Sequence, residues 1–559
     1  MRISHLSFIL LIILSCQGKK NQEQFETELQ SISLSRGDIA LCGAGNGQFG
    51  TVEFSLSCSE KVRVNFNLAT ALLHSFEYTE AEKVFAKVID EDPECVMAYW
   101  GVAMCNFHPL WAPPSQTDLQ KGSRIITLAR SLESKSTRES DYLEAIATIY
   151  DQWDKLDHHA RALKFEKASE KIYEKYPDDN EAAIFYALAL RATANPSDKS
   201  FHNQKRAGEI LNKIFVNEPD HPGIAHYIIH TYDYPELAEL ALPAARKYAS
   251  IATASAHAQH MPSHIFTRLG LWDESIQSNM NSVSAAQCYA QNMGIKGHWD
   301  EELHGMDYLI YAYLQEAKDD KAREQIEYLK TINEVFPVNF KEAYSFAAMP
   351  TRYALERKQW AEAAQLELKP ASFPWEEFQW EKANVNFGRL LGAVHSHKLA
   401  DAKNELKQLQ FIHENLNEAK ESYKANLVLI QIKTSEGWIK FAEGQKADAL
   451  SLMSRAADME DSTEKSSVTP GEVIPARELL GDMYLEMGEP AKALKAYEAD
   501  LKRHPNRFNG LYGAGLAEEK SGNTKKAILY YKQLPAFTNS SDHKRPQQEA
   551  AELFIKNNN

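Results

Sequence analysis

The chain has 559 residues, with 62 Lys+Arg against 77 Asp+Glu and a formal net charge of −15. At 44% apolar and 25% charged residues it has the composition of an ordinary soluble globular protein, which excludes a disordered or fibrous chain. The acidic balance also excludes a nucleic-acid backbone as the main partner, because phosphate binding needs a basic face. The length fits about three or four domains, or one long repeat array. Its 25 Gly and 21 Pro come to about 8% of the chain against the roughly 12% usual in proteins, which favours helices over turn-rich β folds.

Arg2 opens a short basic region, and an apolar run follows from Leu6 to Leu14. The run is shorter than the about 20 apolar residues of a membrane-spanning helix, and it fits the h-region of a secretory signal. It stops at Ser15-Cys16 and turns polar at Gln17. An apolar stretch closed by a small residue and then Cys resembles a bacterial lipoprotein signal. That resemblance implies a signal peptide over 1–15, cleavage ahead of Cys16, and a lipid on Cys16 that holds the mature chain at a membrane. The expected location is the bacterial cell envelope, lipid-anchored at the outer membrane or facing the periplasm. Residues 16–40 are polar and read as a tether.

Residues 41–61 hold a dense patch of glycine: Gly43, Gly45, Gly47 and Gly50. No strand precedes it and no Lys follows at the P-loop position, so a phosphate cradle is disfavoured. The segment reads as a loop closed by a disulfide, since an exported chain meets an oxidising compartment. The pairing is either Cys42–Cys58 or Cys58–Cys95. Cys105 falls in a helical pattern and reads as a small buried apolar residue.

From about residue 62 to 535 the pattern is helix after helix. Leu480, Gly481, Tyr484, Gly488, Ala493, Tyr497 and Pro505 are followed by Gly515, Gly522, Ala527 and Tyr531, with Gly488 to Gly522 and Ala493 to Ala527 each 34 residues apart. Near the start, Ala69, Ala81, Phe85 and Pro93 have the same spacing, and Ala207 is followed 34 residues on by Ala241 and 34 further by Ser275. These offsets resemble the tetratricopeptide repeat (TPR). A 34-residue helix–turn–helix unit buries its apolar faces only against its neighbours, so units stack. The expected fold is all-α, a TPR-type α-solenoid of stacked helix pairs. It divides into an N-terminal array over 62–335, a C-terminal array over 336–535 and a polar tail over 536–559.

Longer stretches, among them LLHSFEYTEAEKVF (72–85), HAQHMPSHIFTRLG (257–270) and VTPGEVIPARELLGDMYLE (468–486), resemble exported bacterial TPR proteins that carry an HMPSHIF-type motif. The likeness runs over nearly the whole mature chain. It implies the fold and carries no activity.

The strongest functional signal lies in the middle repeats. His226 and His230 are four residues apart, as are His260 and His264, and the two pairs are offset by 34 residues. By the TPR resemblance they occupy the fifth and ninth positions of adjacent first helices, which face the concave groove, and His257 takes the second position. The next first helix begins near Leu303 and brings His304 and Asp307 to its second and fifth positions. Residues i and i+4 of a helix lie about 6 Å apart on one face, and packed helices are about 8–10 Å apart. Imidazoles that reach about 2.0–2.1 Å from a metal can bridge such a gap. A transition-metal site on His226, His230, His260, His264, His304 and Asp307, with His257 behind them, is therefore expected, and the candidate ions are Zn, Fe, Cu and Mn. The competing readings are a metal-free groove for an anionic, protein or peptide ligand, and histidines that serve hydrogen bonding alone.

Other motifs carry less. HExxH, paired CxxC and GxSxG are absent, so neither the common zinc-protease arrangement nor a nucleophile elbow is present. Glu301-Glu302 and Glu376-Glu377 read as solvated pairs. The stretch from Glu460 to Gly471 reads as a loop between helices. An enzyme reaction is not specified, because no general base stands out by spacing.

Overall fold

The computed structural model describes residues 23–40, 42, 48–110, 113–133, 135–465, 468–535 and 544–558. The expected signal peptide 1–15, Cys16 with its lipid, and Gly43, Gly45 and Gly47 lie outside the described residues. The chain forms two compact units. One runs to Thr231 and includes Ser250–Ser255; the other holds Tyr232–Ala249 and everything from Ala256. The array boundary expected at 335/336 therefore falls inside the second unit. Among the described residues the architecture is helical apart from a two-residue parallel bridge, His298–Trp299 with Val335–Phe336.

The first unit stacks α1 (Arg63–His74), α2 (Tyr78–Glu91), α3 (Val96–Cys105), α4 (Gln116–Ser131), α5 (Thr137–Tyr150), α6 (His158–Lys175), α7 (Asn180–Ala192), α8 (His202–Phe215) and α9 (Pro222–Tyr232). Local chemistry sets several of these starts. Ser115 with Asp118, and Ser136 with Glu139, form reciprocal caps, and Asp157 and Asp179 cap α6 and α7. The described part of the expected tether is helical over 23–30 and then lies against α2. There the Ser35 N–H donates to Glu82 at 2.6 Å and the Ala40 N–H donates to Glu80 at 3.1 Å. Of the two disulfides considered, Cys58–Cys95 is formed. Cys105 is a buried free thiol, as its place in an apolar helix suggested.

The second unit continues with α10 (Ala238–Ile251), α11 (Ala256–His260), α12 (Pro262–Leu269), α13 (Trp272–Asn292), α14 (Asp300–Gln315), α15 (Asp319–Leu329), α16 (Phe340–Glu356), α17 (Trp360–Ala363), α18 (Gln379–His395), α19 (Leu399–Glu418), α20 (Ser422–Ala442), α21 (Lys446–Ser462), α22 (Ala476–Glu486), α23 (Pro490–Arg503), α24 (Phe508–Lys520), α25 (Thr524–Tyr531) and α26 (Pro546–Asn558). The 34-residue period has a steric cause at its C-terminal end. Gly481 and Gly515 let the rings of Tyr497 and Tyr531 approach so closely that an added Cβ would stand 2.7 and 2.5 Å from them. Gly488 and Gly522 sit at φ 74° and 78°, the left-handed turn that ends each first helix. The chain is thus an all-α, TPR-type α-solenoid. The tail is not simply polar: α26 sets Ala551 against Ala527 and Tyr531, with Phe554 and Ile555 beside them. No helix of the described residues is long and apolar enough to cross a membrane.

Candidate metal centre

The site is built around a break in a helix. Pro262 has no N–H to continue the ladder from α11, so α12 starts afresh with Pro at its first turn. Helix α13 braces this stretch from outside: Ser278 Oγ donates to Gln259 O at the break, and Ser282 Oγ donates to Ala256 O at the start of α11 at 2.9 Å. Gly270, at φ 64°, closes α12. His260 ends α11 and His264 lies in the first turn of α12. The i, i+4 spacing survives the break, with ring centroids 4.9 Å apart.

Each of the two rings is oriented from behind. Asn279 Nδ2 donates to Ser275 O at 2.7 Å, which turns Asn279 Oδ1 toward His260 Nδ1, 2.7 Å away. An amide oxygen only accepts, so His260 Nδ1 carries the proton. His264 Nδ1 stands 3.0 Å from Asp233 Oδ2. Burial pushes the Asp233 carboxyl up, but Lys465, Arg268 and His264 pull it further down, well below its usual range. It is a carboxylate, and His264 Nδ1 donates to it. Both Nε2 atoms are left with lone pairs, and they face each other at 3.0 Å. Two acceptors at that separation need a shared proton or a cation.

His304, on α14, completes the group. Its ring centroid lies 4.2 Å from that of His260, and one ligand atom from each of the three histidines falls within 4.8 Å of the others. All three are buried. Burial, with the neighbouring imidazoles and then lysine charge, holds the pKa of His260 and of His304 well below 6.5. Burial also lowers His264, against the opposing pull of Asp233. The rings are neutral at physiological pH and keep lone pairs to ligate with. Tyr308 Oη closes one side, 3.5 Å from His264 Nε2, while it donates to Thr469 O at 3.0 Å.

The other expected ligands are placed differently. Asp307 is paired with Arg352, both fully buried, and does not join the histidines. Burial raises its carboxyl and the guanidinium pulls it back. Three residues on a helix turn through about 300°, so a residue following His304 by three points about 60° away from it, here toward α16. The carboxylate that serves the cluster is Asp233, which spacing alone had not singled out. His226 and His230 lie in the first unit with their rings 4.7 Å apart, and His226 Nδ1 donates to His74 O at 2.6 Å. His257 is buried in α11. Glu301 and Glu302 are buried rather than solvated: Glu301 meets Lys341 at 2.6 Å, and Glu302 accepts from Tyr328 at 2.7 Å and Gln287 at 2.8 Å.

A second group of ligand type, missed by the sequence reading, lies in the first unit. His74 Nε2 and His221 Nε2 each stand 3.0 Å from one oxygen of Glu181, and His74 Nδ1 is 3.0 Å from Tyr227 Oη. Burial pushes the Glu181 carboxyl up, and the two imidazoles pull it further down, below its usual range. Here donors face acceptors and no ion is needed to settle them. Its members are separated by 107 and 40 residues in sequence, so no local pattern could reveal it.

In the second unit, the loop after α21 packs against α14 and α16. Lys465 Nζ lies 3.4 Å from Asp233. Gly471 O accepts from Tyr344 Oη at 3.1 Å and from Arg352 Nη2 at 3.0 Å. Side chains of α14 and α16 thus hold the chain's own backbone.

A tetratricopeptide-repeat family model matches residues 479–542. No curated protein matches the chain. Among solved structures, the chain is similar to an IFIT1 monomeric mutant with m7Gppp-AAAA at 12% identity, covering 86% of this chain and 97% of that one, with a TM-score of 0.34. It is similar to the human IFIT1 dimer with PPP-AAAA at 12% identity, covering 78% and 90%, with a TM-score of 0.34. It is also similar to Naa15/Naa10 bound to HypK-THB at 12% identity, covering 88% and 71%, with a TM-score of 0.21. Likenesses this distant carry no argument about the site.

Proposed function

We propose that this protein is a TPR-type scaffold that holds a transition-metal ion on His260, His264 and His304. One observation carries the reading: Asn279 and Asp233 claim both Nδ1 protons, so two Nε2 lone pairs converge at 3.0 Å. Ligating histidines commonly donate their other N–H to a carboxylate or an amide oxygen, which fixes the tautomer and raises basicity. Three neutral imidazoles suit Zn, Cu, Fe or Ni. Three protein ligands also leave a position at which a bound water could be activated. The tetratricopeptide match over 479–542 supports protein-partner binding by the same scaffold. The lipoprotein-like start of the chain supports export and a lipid anchor on Cys16, in the manner of the exported TPR proteins that share the HMPSHIF motif.

The test is elemental analysis of the untagged chain after dialysis against a weak chelator. About one equivalent of a transition metal is expected. The pair of substitutions His260→Ala and His264→Ala removes it while far-UV helicity stays. If the wild-type chain takes up no metal after loading with Zn, Fe and Cu in turn, the two histidines share a proton, and the partner-binding scaffold is what remains.

A further inference from the structure

Away from the histidines, the second unit holds a half-open cavity of ≈ 50 Å³ between α16, α18, α20 and the stretch 469–476. Trp380, Phe387, Ile430 and Ile474 give it apolar walls. Asn384, Gln431 and Thr434 also line it. Gln431 Nε2 donates to Asn384 Oδ1 at 2.9 Å. Asn384 Nδ2, Gln431 Oε1 and Thr434 Oγ1 then find no hydrogen-bond partner among the described residues. Asn384 is 3% exposed and Thr434 0%. Native folds seldom leave such groups unmatched, and three lining one cavity ask for a guest.

The chemistry of the guest follows from the two amides. They bond each other once, which leaves one NH2 group and one C=O group without a partner. Turning both amides around exchanges the roles and leaves the same remainder. Its complement is a group with a carbonyl oxygen and an N–H on one edge, which is a carboxamide. The lining charges are already engaged: Lys465 with Asp233, Glu472 with His504, and Glu460 with the Ala476 N–H. The guest is therefore neutral. A water takes about 10–15 Å³ of such space, so the cavity sets the guest at a few non-hydrogen atoms.

We propose that this cavity binds a small neutral carboxamide, held by Asn384 and Gln431, with Thr434 as a third polar contact and its alkyl body against the apolar walls. This site does not depend on the metal reading.

Calorimetric titration of the full chain with isobutyramide is the test. Saturable 1:1 binding is expected, and N,N-dimethylisobutyramide, which lacks the N–H, binds at least tenfold more weakly. Thr434→Val removes one unpaired hydroxyl at constant shape. The pair Asn384→Leu and Gln431→Leu removes both amides together. Each is expected to keep or raise the melting temperature without ligand, since an unmatched buried group stabilises nothing, and to weaken the probe at least tenfold. Binding persists in the chain carrying His260→Ala and His264→Ala, which separates this outcome from failure of the metal site. The proposal falls if isobutyramide does not saturate by tens of millimolar, if the dimethyl analogue binds equally, or if Thr434→Val leaves the probe affinity unchanged. It also falls if a crystal grown with the probe shows only ordered water in the cavity. Should the double substitution fail to fold, Thr434→Val alone decides.

Discussion

Asn279→Leu probes the tautomer on which the metal centre rests. In the native chain Asn279 Oδ1 accepts from His260 Nδ1 at 2.7 Å, and this fixes a lone pair on Nε2. Leucine has nearly the same size and offers no acceptor. The His260 proton is then free to move to Nε2 and donate to His264 Nε2, 3.0 Å away. One neutral hydrogen bond is exchanged for another, each worth about 1 kcal/mol, so the metal-free chain changes by roughly 1 kcal/mol or less. Metal binding must now displace that proton. Loss of such a supporting contact typically weakens a metal by about 10–100-fold, or about 1.4–2.7 kcal/mol. Competition against a chromogenic chelator measures the affinity, and urea unfolding of the metal-free chain measures the stability. Unchanged affinity would refute the tautomer argument. So would a loss of about 3 kcal/mol in the metal-free chain at constant affinity, which makes the Asn279–His260 contact structural.

Asp307→Asn leaves Arg352 charged and buried without its carboxylate; it should cost about 3–5 kcal/mol in urea unfolding while metal stoichiometry stays the same, and a lost metal would restore Asp307 as a ligand. Burial pushes His504 down, but Asp500 and then Glu472 raise it to about 10, in a setting that also holds Glu460, Arg503 and Arg507. Its folded pKa lies above the unfolded 6.5, so its contribution is full below pH 6.5 and is lost as pH rises through about 10. His504→Gln should therefore destabilise by about 2–3 kcal/mol at pH 6, and the gap to wild type should close by about pH 10; a gap that widens with pH in chemical denaturation contradicts the pairing. Glu181→Gln keeps the shape of the first-unit network and removes its charge. It should lower stability by about 1–3 kcal/mol without changing metal content, and a loss of metal by elemental analysis would make that network a second metal site.

The sequence by itself determined the helical fold, the 34-residue period and the two histidine pairs, because each is an interval along the chain: about one turn within a helix, and one whole helix–turn–helix unit between repeats. Gly481 and Gly515, Tyr497 and Tyr531, and His260 with His264 announce themselves by interval alone, and packing only confirms the interval. The rotational phase between neighbouring helices is a property of packing, and spacing does not contain it. That phase sent Asp307 to Arg352 and brought Asp233 to His264 across 31 residues. It also joined Glu181 to His74 across 107 residues, and set Thr469 and Gly471 against α14 and α16 of their own unit. The charge states follow the same division. A histidine can be read from the chain, but its buried, neutral tautomer is imposed by Asn279 and Asp233, which only the folded structure sets beside the rings.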